Sequence, residues 1–336
     1  MADRQHHIQA FLADHGWGGC EEGLLAADAS FRSYRRLVDG SRRAVLMDAP
    51  PPNEDVRPFA WLSDHLCRLG FSAPRVLAED SEAGLLLLED LGDDTYTRLL
   101  NRGAEPGPLY ALATDVLIDL HRRAEAVPAG LPAYDAARYL EEACLLTDWY
   151  LPAVLGEPAS ASVRQDYVAA WLDVLEGIDG EPRTLVLRDY HVDNLMRIPR
   201  RPGVRACGLL DFQDAVAGPA AYDLMSLLED ARRDVPSGLK DAMLDRYLGA
   251  FPRLDRAALT ETFTVLAAQR HAKVIGIFTR LCVRDGKPAY LRHIPRVWRL
   301  LNSTLAAPRL APVARWFACH LPPEARAVPP CRHAAQ

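Results

Sequence analysis

The segment that decides the fold is Leu185-Val186-Leu187-Arg188-Asp189-Tyr190-His191-Val192-Asp193-Asn194-Leu195. An apolar run typical of a strand leads into Asp189, and Asn194 follows five positions later. A second apolar run, Leu209-Leu210, ends in Asp211. Between these runs lies a third, Leu195-Met196-Arg197-Ile198, and Pro199 to Gly203 after it predicts a turn. The 22 positions that separate the two aspartates are enough for a hairpin that brings both to one end of a small β island.

This order of residue types suits phosphoryl transfer. The transferred group is already electrophilic, so a protein mainly orients the acceptor hydroxyl and neutralises the developing charge. Asp189 can accept the hydroxyl proton, and the side-chain oxygens of Asn194 and Asp211 are hard ligands that suit Mg²⁺. Asp and Asn also cap turns in many proteins, but both strands together with all three side chains favour a catalytic role. We therefore predict Asp189 as the base, Asn194 and Asp211 as Mg²⁺ ligands and ATP as the phosphoryl donor.

Length and composition restrict the classes of protein that fit. A chain of 336 residues exceeds what one compact core usually holds, so two lobes are expected. The net charge of −6, mixed along the chain, argues against non-specific binding of nucleic acid, which needs a basic surface. No apolar run approaches the roughly 20 residues needed to cross a bilayer, and the first residues lack the apolar core of a signal peptide.

The seven cysteines are scattered and include no C-x-x-C pair. This pattern favours free thiols over a disulfide framework or a zinc site. Together with the absence of a targeting segment, it predicts a cytoplasmic protein. We expect a monomer that has neither nucleic acid nor membrane as a partner.

Two patterns of hydrophobicity divide the chain. Up to about residue 90, short runs typical of strands dominate, and Asp39-Gly40 between two of them is a strong hairpin signal. Further on, apolar residues spaced by three and four indicate amphipathic helices. The tail after Ala311 is rich in proline and alanine and is expected to fray at its end. We predict an α+β protein with a β-rich N-lobe over residues 1–90 and a mainly helical C-lobe over residues 91–336.

The catalytic segment resembles that of the aminoglycoside phosphotransferase and choline kinase-like group, relatives of the protein kinases. In that group an Asp in a His-Gly-Asp-x-x-x-x-Asn pattern is the base, and a later Asp before an aromatic residue binds the metal. Asp189, Asn194 and Leu210-Asp211-Phe212 match this pattern, whereas Leu187-Arg188 stands in place of His-Gly. The resemblance covers most of the chain and implies a bilobal, protein-kinase-like fold with a small antiparallel β-rich N-lobe.

The resemblance also implies a nucleotide site in the N-lobe, with two departures. No Gly-x-Gly-x-x-Gly loop is present, and Met47 stands where the group has a phosphate-binding lysine. The connection that contains Ser30, Phe31 and Arg32 can still offer backbone N–H groups to phosphates.

A cation is still needed at the phosphates, and several arginines lie nearby. Strand alternation turns Arg35 and Arg36 to opposite faces, so only one of them can point into the cleft. We expect this to be Arg35; the alternative is that these arginines are solvated edge charges. Glu89 and Leu91 resemble the positions whose backbone contacts adenine, although the leucines that precede them would form a core strand in any fold.

Within the group, the chain is most similar to the bacterial kinases of cell-wall recycling. Those enzymes phosphorylate the anomeric C1 hydroxyl of N-acetylmuramate and N-acetylglucosamine, and the sugar 1-phosphate feeds nucleotide-sugar synthesis. The likeness lies in the stretches 28–32, 45–51, 88–93 and 269–281. In that branch, the methionine in place of the lysine would be a shared trait.

A sugar acceptor needs fixed polar groups near the base. Asp214 is one candidate, and His191 is another, although His191 also fits a loop residue bonded to the backbone. N-acetylmuramate carries a lactyl carboxylate, which favours a cation in the pocket. Arg270 and Lys273 lie three positions apart, so they share one helix face and could bind that carboxylate. The alternative is that both are surface groups of an amphipathic helix.

Two other functions are left open. A kinase for aminoglycosides or choline would bind a cation, and Asp135, Glu141, Glu142 and Asp148 could supply an acidic lining. Met47 and the missing glycine loop would also fit an inactive nucleotide-binding module, although the three catalytic positions are intact.

Overall fold

The computed structural model describes residues 2–27, 31–178 and 183–330, and the predicted phosphate contact Ser30 lies outside them. The chain forms two compact units, one of residues 1–119 and 192–214 and one of residues 120–191 and 215–336. A five-stranded antiparallel sheet occupies the N-terminal part and helices dominate the remainder, which confirms the predicted fold class. The lobe boundary after residue 90 stays a prediction.

The sheet of the first unit is built from five short strands. They are β1 (Glu21–Ala27), β2 (Ser33–Asp39), β3 (Arg42–Asp48), β4 (Val76–Asp80) and β5 (Leu85–Glu89), in the order β1-β2-β3-β5-β4. Asp39 pairs with Arg42, so a two-residue loop joins β2 to β3. Gly40 in this loop has a φ of 58°, a conformation that favours glycine. The predicted hairpin at Asp39-Gly40 is therefore confirmed.

Helices complete the first unit. They are α1 (Ala2–Asp14), α2 (Arg57–Arg68), α3 (Tyr96–Asn101) and α4 (Pro106–His121), the last of which ends in the second unit. The apolar residues Ile8 and Phe11 of α1 pack against Leu46 of β3 and cover one face of the sheet. Because side chains alternate along a strand, Val45 and Met47 point to the opposite face.

A second hairpin belongs to the first unit. Its strands β7 (Leu195–Arg197) and β8 (Cys207–Leu209) are antiparallel, and Leu195 pairs with Leu209. The N–H of Leu209 donates to the carbonyl of Ser72 at 2.9 Å, which fixes the hairpin to the loop after α2. At its end, the N–H of Leu210 donates to the carbonyl of Asn194 at 2.9 Å. The predicted hairpin is confirmed, and it holds Asn194 beside the segment that leads into Asp211.

The second unit is mainly helical. Its elements are α5 (Ala136–Leu145), α6 (Leu151–Leu155), α7 (Ala161–Leu175), β6 (Arg183–Val186), β9 (Val216–Pro219), α8 (Ala221–Leu228), α9 (Ser237–Ala250), α10 (Arg256–Val283), α11 (Ile294–Thr304) and α12 (Ala311–His320). The long helix α10 packs against α5, α8 and α11. Gly276 allows a close approach, because a Cβ there would lie 2.3 Å from the backbone of Leu145 at the end of α5. This approach places the polar residues of α10 against those of α5.

Two elements of the second unit were not predicted. β9 pairs antiparallel with β6, with Val186 opposite Val216. It is short, contains Gly218 and Pro219 and has a partner distant in sequence, so no local signal marks it. The first part of the tail forms α12, because Trp316 and Phe317 are buried and the indole N–H of Trp316 donates to the carbonyl of Val163 at 3.0 Å. The end of the tail, which was expected to fray, lies outside the described residues.

The cysteines differ from the prediction at one position. Cys282 in α10 is disulfide-bonded, so the expectation of free thiols is wrong there. Free thiols are found at Cys20, Cys67, Cys144, Cys207 and Cys319. Among the helices that the structure describes, none has both the length and the apolar character to cross a membrane.

Candidate active site

The first unit contains a cavity of about 340 Å³. Its wall includes apolar side chains of the sheet and α2, and its polar part comes from the linker after β5 and from the β7–β8 hairpin. The apolar group is Leu25, Val45, Phe59 and Leu88, and the polar group includes Asp93, Asp193, Asn194 and Asp211. Glu89 and Leu91, the predicted adenine contacts, also line it. Such a cavity suits a ligand with an apolar ring and an anionic, metal-binding end.

Asn194 and Asp211 meet at the polar end of this cavity. The amide nitrogen of Asn194 donates to the Oδ2 atom of Asp211 at 3.2 Å, and the amide of Gln213 donates to its Oδ1 atom at 2.9 Å. Asp211 has a φ of 57°, a left-handed conformation that Asp and Asn tolerate better than most residues. The next residue, Phe212, is fully buried and stacks on Phe59 at a centroid distance of 4.9 Å. The carboxylate is therefore held in one orientation by its neighbours on both sides.

This pair fits a cation that keeps ligands from outside the protein. One carboxylate and one carboxamide lie within contact distance of each other and face the cavity. Within the part of the chain that the structure describes, no group of three or more His, Cys, Asp and Glu side chains has the arrangement of a metal site. Mg²⁺ commonly binds one or two protein side chains together with substrate phosphates and water, so the donor set suits Mg²⁺.

Arg32 lies near enough to Asp211 for the two charges to act on each other, whereas Arg98, which lines the cavity, pairs with Asp93. The Nε atom of Arg32 donates to the Oε2 atom of Glu54 at 2.8 Å, and the Arg32 side chain is only 12% exposed. Glu54 also accepts the N–H of Phe31 at 3.1 Å. Although desolvation opposes its charge, the fields of Tyr34, Glu54 and Asp211 raise the pKa of Arg32. The guanidinium is therefore charged, and Asp211 is among the groups that it faces.

Arg35 lies elsewhere. Its guanidinium donates to Glu22 at 3.1 Å and to Gln5 of α1 at 3.3 Å, so it is on the face of the sheet that α1 covers. Arg36 is on the other face, as alternation predicted, but it bonds Asp90 and Asp93 of the linker. The structure therefore does not place Arg35 at the cavity. The side chain of Phe31, another predicted contact, is 66% exposed.

Asp189 follows a tight turn in the second unit. Its N–H donates to the carbonyl of Leu187 at 2.9 Å, which closes a γ-turn centred on Arg188. Arg188 has a φ of 68°, a left-handed conformation that side chains rarely adopt. The carboxylate of Asp223, at the start of α8, accepts the N–H groups of Leu187 at 2.6 Å and of Arg188 at 3.0 Å. Asp223 is fully buried, and this burial raises its pKa to about 7.

Arg270 contacts the predicted base directly. Its guanidinium lies 3.6 Å from the Oδ1 atom of Asp189, and the Asp189 side chain is 41% exposed. Desolvation opposes ionisation of this carboxyl, but the charges of Arg270 and Lys273 hold the pKa of Asp189 below its usual range. Asp189 is therefore ionised at neutral pH, and it is exposed enough for an acceptor to reach it.

Behind Asp189, Glu142 of α5 joins two further cations. The Nζ atom of Lys273 lies 2.9 Å from its Oε1 atom, and the guanidinium of Arg188 forms an ion pair with the same oxygen. The hydroxyl of Tyr134 donates to its Oε2 atom at 2.5 Å. Although burial acts to raise it, Lys273 and Arg188 lower the pKa of Glu142. Arg270 and Lys273 are thus buried residues that share one face of α10. The alternative that they are surface groups of an amphipathic helix is wrong.

The other two predicted substrate residues differ in their surroundings. His191 is 4% exposed, and its Nε2 atom lies 3.4 Å from the guanidinium of Arg232. Burial lowers the pKa of His191 to about 4, and the charge of Arg232 acts in the same direction. His191 is therefore neutral at physiological pH. Asp214 is exposed in the first unit, where the amide of Gln213 lies 3.3 Å from it.

Sequence reasoning missed Glu54 as a partner of Arg32 and Arg188 as a member of the cluster at the base. Glu54 follows a proline-rich stretch and carries no local signal of its function. The sequence does mark Arg188 as unusual, because an arginine replaces the glycine that the group has directly before the predicted base. This departure from the pattern does not by itself show which residues the arginine contacts.

Comparison with known proteins agrees with this geometry. The pattern that defines the phosphotransferase enzyme family matches residues 23–259. The chain belongs to this family. It is 36% identical to a protein from Caulobacter vibrioides named N-acetylmuramate/N-acetylglucosamine kinase, over 97% of this phosphotransferase and 99% of the relative. It is 40% identical to a protein of the same name from Pseudomonas aeruginosa, over 92% of each chain.

Solved structures agree in fold. A choline/ethanolamine kinase family protein from Mesorhizobium loti matches with a TM-score of 0.62 and 16% identity, over 93% of this phosphotransferase and 99% of that chain. This likeness confirms the predicted fold class.

Proposed function

We propose that this phosphotransferase uses ATP and Mg²⁺ to phosphorylate the anomeric C1 hydroxyl of N-acetylmuramate and N-acetylglucosamine. The observation that carries the proposal is the similarity to two proteins named N-acetylmuramate/N-acetylglucosamine kinase. They are 36% and 40% identical to this chain, and each alignment spans more than nine-tenths of both proteins. The product, a sugar 1-phosphate, would feed nucleotide-sugar synthesis in peptidoglycan recycling. We further propose that the enzyme acts as a monomer in the cytoplasm.

In this proposal Asp189 is the catalytic base. Its carboxylate is ionised and partly exposed, so it can accept the proton of the attacking hydroxyl and hold that oxygen in line with the phosphoryl group. Arg270 stabilises the carboxylate and limits the directions in which it can turn. Asn194 lies five positions after the base, and together with Asp211 it would hold Mg²⁺, which supplies positive charge to the transferring phosphoryl group.

In the nucleotide site, the apolar part of the cavity would hold adenine beside the backbone of Glu89 and Leu91. Met47 cannot supply charge, whereas Arg32 is a cation whose charge acts on Asp211. We propose that Arg32 binds the phosphates, with Glu54 fixing its guanidinium. The guanidinium of Arg32 would then take the position of the lysine that other members of the group carry on β3. Ser30 and Phe31 remain proposed backbone contacts.

Arg32→Met is expected to raise the KM for ATP by about 10- to 100-fold, because hydrogen bonds to a charged group are lost. Initial rates at saturating sugar and varied ATP would measure this. Arg35→Met is the matched control, since Arg35 bonds Glu22 on the opposite face, and its KM should stay within about twofold of the wild type. If Arg35→Met raised the KM and Arg32→Met did not, the assignment of the phosphate cation would be wrong.

The charges around the base favour an amino sugar over a cationic acceptor. Of the four acidic residues that could line a cation site, Asp135 caps α5, Asp148 pairs with Arg164 and Glu141 is exposed. Glu142 alone joins the cluster, where two cations pair with it. We propose that Arg270 and Lys273 favour binding of the acidic sugar. Arg270 would contact the acceptor, and Lys273 would act indirectly, through its ion pair with Glu142. His191, as a neutral imidazole, and Asp214 are proposed to bond sugar hydroxyls.

The acceptor is tested by measuring ADP release with N-acetylmuramate, N-acetylglucosamine, the methyl glycoside of N-acetylglucosamine blocked at C1, an aminoglycoside and choline. Turnover is expected with the two free sugars alone. Phosphorylation at C1 should also remove the reducing end, which a reducing-sugar assay detects. Turnover of the blocked glycoside would contradict C1 as the site, and turnover of choline or the aminoglycoside alone would contradict the sugar. ATP binding without any turnover would favour the inactive binding module.

A further inference from the structure

The γ-turn before the base carries an arginine in a conformation that favours glycine. A left-handed φ is less favourable for a residue with a side chain than for glycine. The turn nevertheless holds Arg188 at a φ of 68°, and the buried Asp223 fixes both flanking N–H groups. A glycine would form the same turn without this strain. The side chain of Arg188 therefore has to offset its own conformational cost, which points to a function for the guanidinium.

The guanidinium is held next to the base. It forms an ion pair with Glu142 and lies over the ring of Tyr134 at 5.6 Å. Lys273 pairs with the same oxygen of Glu142. The charge of Arg188 is also among those that act on Asp189. Two cations thus share one carboxylate close to the position where an acceptor hydroxyl has to bind.

Among the three cations of this cluster, Arg188 is the one that a solute can best reach. Its side chain is 15% exposed, compared with 7% for Arg270 and 6% for Lys273. Arg270 faces Asp189, whereas Lys273 faces Glu142. With Asp189 and Glu142 ionised, these five side chains carry three positive charges and two negative ones. The nearby Asp223 has a pKa of about 7, so only part of it is ionised at neutral pH, and an anionic ligand can supply the remaining negative charge.

We propose that Arg188 is a specificity-determining residue that binds the carboxylate of an acidic acceptor sugar. The inference rests on the proposed function and deepens it. Planar guanidinium groups bind carboxylates through two parallel hydrogen bonds, and Glu142 with Tyr134 orients this one before the ligand arrives. In N-acetylmuramate the lactyl group supplies the carboxylate. N-acetylglucosamine lacks it and otherwise presents the same ring and acetamido group, so the two sugars form a matched pair.

The test measures kcat/KM of Arg188→Gly and Arg188→Gln for both sugars. Glycine suits the φ of the turn, and glutamine keeps a hydrogen-bonding group without the charge. Each variant is expected to lose about 10- to 100-fold more kcat/KM with N-acetylmuramate than with N-acetylglucosamine, because a charged hydrogen-bonding partner is removed. Arg164→Gln, which removes an arginine paired with Asp148 in the same unit, should leave the ratio between the sugars at its wild-type value.

Two outcomes would overturn this inference, and a third separates it from the proposed function. An equal loss of kcat/KM with both sugars would show that Arg188 does not bind the carboxylate of N-acetylmuramate. A rise in the KM for ATP that is the same with either sugar would assign the guanidinium to a phosphate instead. If the wild-type enzyme phosphorylated neither sugar, the proposed function itself would be wrong. The inference about Arg188, which rests on that function, would then be wrong as well.

Discussion

Asp189→Asn is expected to lower kcat by about 10²- to 10⁴-fold, which is the contribution of a positioned proton acceptor. Asparagine keeps the size of the side chain but cannot accept the proton of the hydroxyl. Initial rates at saturating ATP and sugar would measure the loss. Because the charge of Arg270 holds the pKa of Asp189 below its usual range, protonation of this carboxyl should not limit the wild-type rate between about pH 6 and 8.

Asp148→Asn is the matched control for this change. Asp148 belongs to the same unit, pairs with Arg164 at 3.1 Å and has a side chain 40% exposed, compared with 41% for Asp189. Its replacement removes an ion pair of similar exposure, so kcat should stay within about twofold. Thermal unfolding of both variants would check that the folded state is retained. A kcat for Asp189→Asn within about tenfold of the wild-type value would remove Asp189 from the role of base.

Asp211→Asn is expected to raise the Mg²⁺ concentration needed for half-maximal activity by about 100-fold or more. Loss of a partner that only orients a metal ligand already costs about 10- to 100-fold in affinity, and this change removes the charge of a proposed ligand. The fold should survive, because asparagine tolerates the φ of 57° that this position adopts. Rates measured as a function of Mg²⁺ at saturating ATP would give the shift.

Asp93→Asn provides the control for the metal. Asp93 lines the same cavity, but its carboxylate pairs with Arg36 and Arg98. The Mg²⁺ requirement of this variant should match that of the wild type. An unchanged Mg²⁺ requirement in Asp211→Asn would mean that Asp211 does not bind the metal, whatever the effect on kcat.

Several features of the first unit were predictable because their signals are local. Alternating apolar residues and Asp39-Gly40 predicted the hairpin of β2 and β3, which the register confirms. The apolar runs around Asn194 and Asp211 predicted the β7–β8 hairpin that brings these two residues together. Strand alternation also placed Arg35 and Arg36 on opposite faces, but it could not say which face held the cavity.

That choice depends on what packs against the sheet. Because α1 covers the face of Leu46, Arg35 on that side bonds Glu22. The charge of Arg32 acts on Asp211, and Glu54, from a different segment, fixes the guanidinium of Arg32. Glu54 is 22 positions away from Arg32 in the sequence, and no local pattern connects the two.

The sequence by itself determined the fold class and the hairpin that brings Asn194 to Asp211, because both follow from residues close together in the chain. Only the tertiary structure decided which cations surround Asp189. Glu142, Arg188 and Lys273 come from three separate segments and meet because α10 approaches α5 closely at Gly276. Because buried charges are stable only when they are paired, the partners of Arg188, which we propose binds an acidic acceptor, could be known only from the packed structure.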